Sequence, residues 1–242
     1  LPLNCNLYHM KDHALIAVQG RWAERVIHEI FDYNASEMGY MTLAHAKTKY
    51  GVPVYISRLG YTGEDGFEVS LPNEDAQEIW QAMLGHSEVK PVGLAARDSL
   101  RLEMAYPLYG HDIDETTSPI EADLAWVMGK GANTGFIGKE RVLKEKESGP
   151  ARKRVGIKLL DKGVAREGSE IRNAKGEKIG TLTSGGFSPT LKASIGMGYV
   201  PAANAKIGEK IIVNVRDRDI PAEIVKMPFM PAKTKTMKKQ AA

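Results

Sequence analysis

The chain has a single cysteine, Cys5, in 242 residues. One thiol excludes an internal disulfide and a cysteine-based metal site, and it fits a reducing compartment. Long hydrophobic runs are missing too. No stretch approaches the eighteen consecutive apolar residues that a membrane-spanning helix requires. An excess of one charge is also lacking, since 33 Lys and Arg face 30 Asp and Glu, a formal charge of +3. That is too little to imply nucleic acid, and no aromatic-interleaved basic stripe tracks a phosphate backbone. The chain opens on Leu1, with neither an initiator Met nor a signal-like apolar segment. The expectation is that an upstream part has been lost, so a targeting peptide is not legible.

Hydrophobic residues make up 43% of the chain and charged residues 26%, which places it among ordinary globular proteins. The length admits one large domain or two small ones. Basic residues concentrate at Arg152-Lys153-Arg154 and from Lys233 to Lys239. They read either as a solvated linker and a frayed end, or as an electrostatic docking patch for an acidic partner.

Ala14 to Val18 is a short apolar run closed by Gln19-Gly20, which predicts a buried strand. Residues 21–32 then place Val26, Ile27, Ile30 and Phe31 at helical spacing. Val52 to Leu59 and Phe67 to Leu71 flank a glycine-rich block and predict an antiparallel hairpin with a long loop. Residues 75–84 predict a helix with Ile79, Trp80 and Met83 on its apolar face. A further helix begins near Gly93 and is stopped by Pro107 and Gly110. The polar stretch 109–119 has no periodicity and reads as an ordered loop. A short helix at 138–146 leads to Glu147-Ser148-Gly149-Pro150, a linker signal and the expected domain boundary. Beyond it, short strand-like runs at 153–159, 178–183, 195–200, 209–215 and 219–226 predict a small all-β barrel or sandwich. Turn clusters, among them Ser184-Gly185-Gly186, are expected between them.

Three polar blocks are too elaborate for packing alone. The first is Gly60-Tyr61-Thr62-Gly63-Glu64-Asp65-Gly66-Phe67-Glu68. Its glycines let backbone turn sharply and approach a ligand closely. Glu68 and Ser70 share one strand face, with Phe67 and Val69 on the other. Taken alone, Glu68 reads as a solvated strand residue and Tyr61 as a half-buried loop tyrosine. The second block, Ala95 to Glu103, puts Arg97 and Arg101 at i and i+4 on one helix face, a like-charge pair that anions should offset. Asp98, Glu103 and carboxylates of the next loop are the candidates. The third block runs from Leu108 through Tyr109-Gly110-His111-Asp112-Ile113-Asp114-Glu115 to Glu121 and reaches Trp126. Its carboxylates beside His111 suggest a metal, a reading set aside because ligands must also converge in space. Asp112 and Asp114 are instead expected to accept loop N–H groups or to pair with Arg97 and Arg101.

In wording and order these blocks, continued at Met227-Pro228-Phe229, resemble the T protein of the glycine cleavage system, a tetrahydrofolate-dependent aminomethyltransferase family. The resemblance implies an α+β, folate-binding cloverleaf with an incomplete N-terminal part and a C-terminal all-β barrel. Residues 1–149 would supply the folate-binding region and 150–242 the barrel. It implies that Glu68 and Arg97 bind folate, that Tyr61 offers an aromatic wall, and that Trp126 and Arg166 lie near the site. The alternatives for these last two are a core indole and a surface arginine. A carboxylate suits the pterin, whose amino group and adjacent ring N–H form a paired donor. The implied partner is the lipoylated H protein, with no metal, nucleic acid or membrane. The implied compartment is the bacterial cytoplasm, or the mitochondrial matrix in a eukaryote.

Two departures stand out against the family pattern. Its catalytic aspartate belongs to a motif upstream of Leu1, so no catalytic residue is expected in this chain, and this fragment alone is expected to be inactive. Where many members carry a folate-binding tyrosine or arginine, this chain reads Ala232-Lys233-Thr234-Lys235. A folate-dependent demethylase of a small methylated substrate and a non-catalytic folate-binding scaffold remain as alternatives.

Overall fold

The computed structural model describes residues 6–128 and 135–235. Cys5 and the tail lysines beyond Lys235 lie outside the described residues. The chain divides into two compact units, one running to Gly93 and taking in the segment from Ala232, the other Leu94–Pro231.

The first unit is built on β1 (His13–Gln19), β2 (Thr42–Lys47), β3 (Pro53–Arg58) and β4 (Gly66–Pro72), in the antiparallel order β1-β4-β3-β2. Alternation drives one face inward. Ile16, Val18, Val54, Ile56, Phe67, Val69 and Leu71 form its core with α1 (Ala23–Ile30) and α2 (Ala76–Leu84). The predicted β3–β4 hairpin is present, with Tyr55 opposite Ser70 and Ser57 opposite Glu68. β2 gave no sequence signal, because its inward residues are only the small Ala44 and Ala46. Trp80 is not part of the α2 core face. It is 39% exposed while Ile79 and Met83 are buried.

The second unit opens on α3 (Leu94–Glu103). Ala105 ends this helix in the left-handed region, φ 54°, before Pro107 is reached. Its N–H bonds the Leu102 carbonyl, and the Tyr106 N–H reaches back to the Arg101 carbonyl, the double closure of a Schellman stop. After a long loop and α4 (Lys139–Ser148) come β5 (Arg152–Leu159), β6 (Glu170–Arg172), β7 (Lys178–Ser188), β8 (Ala193–Pro201), β9 (Lys210–Val215) and β10 (Arg218–Val225). They close into a barrel in the order β10-β5-β8-β7-β6-β9.

Ser184-Gly185-Gly186 is not a turn. β7 continues through it, paired with β8 from Ser184 to Ser188 after a register shift between Leu182 and Ser184. These glycines answer crowding rather than reversal. A Cβ on Gly185 would lie 2.7 Å from the Ala165 carbonyl oxygen, and one on Gly180 would lie 2.0 Å from that of Tyr199.

Candidate ligand site

In the first unit the loop that leads into Glu68 is held from within by Gln19, the last residue of β1. Its amide donates to the carbonyls of Leu59 (3.0 Å) and Phe67 (3.3 Å), one at each end of the loop. Its oxygen accepts from the Thr62 hydroxyl at 2.9 Å. The space it fills explains two of the three loop glycines. A Cβ on Gly60 would stand 2.0 Å from the Gln19 amide oxygen, and one on Gly66 2.5 Å from its amide carbon. Only Gly63 is there for conformation, at φ 75°. Room for ligand approach is therefore not what Gly60 and Gly66 provide.

Glu68 sits mid-strand on β4, between Ala17 and Ser57. Phe67 and Val69 are fully buried, while Glu68 and Ser70 are half-exposed on the other face. Among the described residues no side chain or N–H hydrogen-bonds the Glu68 carboxylate. Tyr61 is half-buried in the loop and already engaged by other residues.

Beneath the loop lies a group that sequence reasoning missed. Arg58 is 1% exposed. Its Nε donates to Asp65 at 3.0 Å, its Nη1 to the carbonyls of Ala35 (2.8 Å) and Met38 (3.1 Å), and its Nη2 to Glu24 (2.6 Å) and Asp65. The guanidinium also lies 4.9 Å from the Phe67 ring centroid. The signal was parity: Val54, Ile56 and Arg58 share the inward face of β3. Burial pushes the Glu24 carboxyl up, but hydrogen bonds from Lys235 and Arg58 outweigh it and hold the group below the usual range.

In the second unit the polar loop after α3 is pinned by Asp112, whose side chain is fully buried. It accepts from Arg101 Nη1 (2.8 Å), the Leu108 N–H (2.9 Å), and the hydroxyls of Thr183 (2.5 Å) and Ser184 (2.8 Å) on β7. The Tyr199 hydroxyl donates to the Asp112 carbonyl at 2.8 Å. Burial pushes the Tyr199 phenol up to about 12. Arg101 is thus offset by Asp112 and Asp98, as the i, i+4 argument required. Glu103 is not one of its partners. It turns to Ser188 (2.5 Å) and Thr190 (2.9 Å), tying the end of α3 to the β7–β8 turn.

The remaining loop carboxylates scatter. Asp114 accepts from the Thr116 N–H and two threonine hydroxyls in an exposed turn. Glu121 pairs with Arg141 (3.1 Å) and Arg152 (2.8 Å). Burial would raise the Glu121 carboxyl, but Arg152, the Ser118 N–H and Arg141 keep it below its ordinary value. Among the described residues no three His, Cys, Asp or Glu converge.

A cavity of about 650 Å³ opens above this frame. Arg97 from α3 and Arg166 from the β5–β6 connection both line it, with Arg101, His111, Thr183 and Ser184. Gly185 lets the Ala165-Arg166 backbone approach, and His111 Nδ1 meets Glu167 at 2.7 Å across the rim. Two guanidiniums on such walls match the chemistry of an anionic or acceptor-rich ligand. Trp126 does not line it. It is 73% exposed on a single 3-10 turn, so the core-indole alternative is excluded.

The basic cluster 152–154 opens β5 and is not a solvated linker. Arg154 is buried, donating to the carbonyls of Ala105 and Ala122, both at 2.9 Å. Arg152 is spent on Glu121 and the Tyr199 ring, 4.5 Å away. Among the described residues no helix is long and apolar enough to cross a membrane.

An α+β region joined in one chain to a closed six-stranded barrel defines a class of protein, and comparison with known proteins identifies it. Residues 4–131 match the GCVT N-terminal domain, and residues 152–230 match the glycine cleavage T-protein C-terminal barrel domain. The chain belongs to the glycine cleavage T-protein family. It is 45% identical over 231 residues to the mitochondrial aminomethyltransferase of Mesembryanthemum crystallinum, covering 93% of this chain and 56% of that protein. It is 44% identical over 222 residues to the aminomethyltransferase of Halothermothrix orenii, covering 90% and 61%. The crystal structure of glycine cleavage system aminomethyltransferase T from Bartonella henselae superposes with a TM-score of 0.85 at 36% identity, over 93% of this chain and 61% of that one. The chain therefore spans roughly three-fifths of the length of these relatives.

Proposed function

We propose that the protein is an aminomethyltransferase of the glycine cleavage system. It would take the one-carbon unit from the aminomethyl-lipoyl arm of the H protein and pass it to tetrahydrofolate. Ammonia leaves, and the products are 5,10-methylenetetrahydrofolate and dihydrolipoyl H protein. The observation that carries this reading is family membership together with aminomethyltransferase relatives at 45% and 44% identity. Bacterial and mitochondrial proteins both occur among those relatives, and the bacterial cytoplasm is the compartment we favour. Nothing in the fold favours the demethylase or scaffold readings.

The residues present suit the folate. Glu68 offers both carboxylate oxygens, with no described residue competing for them. One ionised carboxylate would accept the pterin amino group and its adjacent ring N–H as a pair. Arg97 and Arg166 supply cationic donors in one cavity, and Tyr61 supplies aromatic surface in the loop that leads to Glu68. The protein's contribution would be chiefly positional. Holding N5 of the folate against the aminomethyl carbon removes the entropic cost of bringing two reactants together.

The test is calorimetric titration of tetrahydrofolate into the full-length protein and its Glu68→Ala variant. Loss of a charged hydrogen-bond pair costs on the order of 1.5–3 kcal/mol, roughly a ten- to hundredfold weaker Kd. Equal affinities would remove Glu68 from the site. Full-length protein that forms no 5,10-methylenetetrahydrofolate from aminomethylated H protein would refute the reaction.

A further inference from the structure

The Gly60–Gly66 loop is gripped from two sides. Gln19 holds its two ends and Thr62 from within. The chain's own C-terminal segment holds its middle. The Lys233 N–H donates to the Gly63 carbonyl at 2.8 Å, and Lys233 Nζ meets Glu64 at 2.6 Å. The Lys235 N–H reaches Asp65 at 3.4 Å, and Lys235 Nζ meets Glu24 (2.9 Å) and the Ser36 carbonyl (2.9 Å). The Lys235 carbonyl accepts from the Tyr40 N–H at 3.0 Å, which anchors the far end of the segment.

We propose that Ala232–Lys235 is a strap that fixes the conformation of the Gly60–Gly66 loop. Lys233 and Lys235 are then positioning residues for the ligand site that carries Tyr61 and Glu68. The inference rests on the folate reading of that site for its consequence, not for the strap itself. Charge matching supports it. Glu24 and Asp65 share one buried guanidinium, that of Arg58, and Glu64 adds a third carboxylate from the same loop. The two strap lysines supply the two missing cations. Conformation supports it too. Gly63 is the loop glycine held in the left-handed region, φ 75°, and the strap takes its carbonyl directly. The main-chain bonds give the strap its register, and the lysines give it affinity. Lys233 is 64% exposed, so salt weakens its part.

Hydrogen exchange on the full-length protein without ligand tests the strap. The pair Lys233→Met with Lys235→Met should exchange faster at residues 60–66, while α1 and the β5–β10 amides stay as protected as in wild type. The pair Lys233→Arg with Lys235→Arg should restore the loop. Truncation after Pro231 should exceed the effect of the Met pair. In turnover, the Met pair should raise KM for tetrahydrofolate about fivefold with kcat unchanged, the yield of two exposed ion pairs. Unchanged loop exchange in the Met pair and the truncation would overturn the strap. So would equal loss of protection across all of β1–β4, the mark of general loosening. If wild type itself fails to bind tetrahydrofolate, the functional reading falls while the exchange result still decides the strap.

Discussion

Replacing Asp112 with alanine takes one acceptor from four donors at once. Arg101 Nη1, the Leu108 N–H and the hydroxyls of Thr183 and Ser184 all converge on its carboxylate. The Arg101 and Asp112 side chains are 5% and 0% exposed, so water does not replace what is lost. Removing one partner of a buried ion pair costs roughly 3–5 kcal/mol. Three remaining contacts pull the figure down. Arg101 keeps Asp98 at 2.7 Å and the Tyr106 carbonyl at 3.3 Å, and Thr183 keeps the Met197 carbonyl at 3.2 Å. The expected loss is therefore about 3 kcal/mol, at the lower end of that range. Asp112→Asn keeps one acceptor oxygen but turns an amide donor toward groups that are themselves donors, so about 2 kcal/mol is expected. Asp114 is the internal control. It lies two residues on but bonds only its own exposed turn, and Asp114→Ala should cost less than about 1 kcal/mol. Urea unfolding followed by far-UV circular dichroism measures all three, with amide exchange in β5–β10 assigning the transition. Asp112→Ala losing under about 1 kcal/mol, or Asp114→Ala matching it, would refute the reasoning.

Three further outcomes follow from the same geometry. Arg58→Met should destabilise the first unit by about 3–5 kcal/mol, because Asp65 and Glu24 lose their shared cation, and Arg58→Lys should not rescue it, since an ammonium cannot span four acceptors in a plane; denaturant midpoints of the two variants check this, and a stable lysine variant would contradict it. Gly66→Ala should displace the Gln19 amide and cost about 1–3 kcal/mol. The same change in a Gln19→Ala background should then cost almost nothing, and additive losses in that double-mutant cycle would show that Gln19 is not what the glycine accommodates. Tyr199 titrates near 12 in the fold against 10 when exposed, so its neutral form is favoured and its contribution is intact below pH 10. As pH rises from 10 to 12 the unfolded chain ionises first and stability falls by up to about 3 kcal/mol. Tyr199→Phe should lose about 1 kcal/mol at neutral pH and flatten that alkaline limb in thermal melts.

Much of the fold was legible because burial imposes a period. β1, β3 and β4 alternate, α1 and α2 carry apolar residues at helical spacing, and the barrel strands recur between polar turns. Failures came where side chains were too small or too few to print that period. β2 buries only two alanines, and β6 is three residues long. Trp80 failed differently. Its helical position was read correctly, but a large indole at the margin of a face stays 39% exposed.

The site was legible in its residue types and not in its pairings. Arg97 and Arg166 were both singled out, and they line one cavity. That Asp112 rather than Glu103 answers Arg101 was open, because the choice depends on β7 and β8. Those strands lie 71 to 87 residues further on, at Thr183, Ser184 and Tyr199 for Asp112, and at Ser188 and Thr190 for Glu103. A glycine in a sequence likewise says that something comes close without saying what. At Gly66 it is the Gln19 amide, and at Gly185 it is the backbone that carries Arg166. Both glycines act through protein atoms, each within its own unit: one seats the loop that leads to Glu68, the other seats Arg166. Most polar groups in the three polar blocks are committed to protein partners, Thr62 to Gln19, Glu64 to Lys233 and Asp112 to Arg101, whereas Glu68, half-exposed on a central strand, has no described partner.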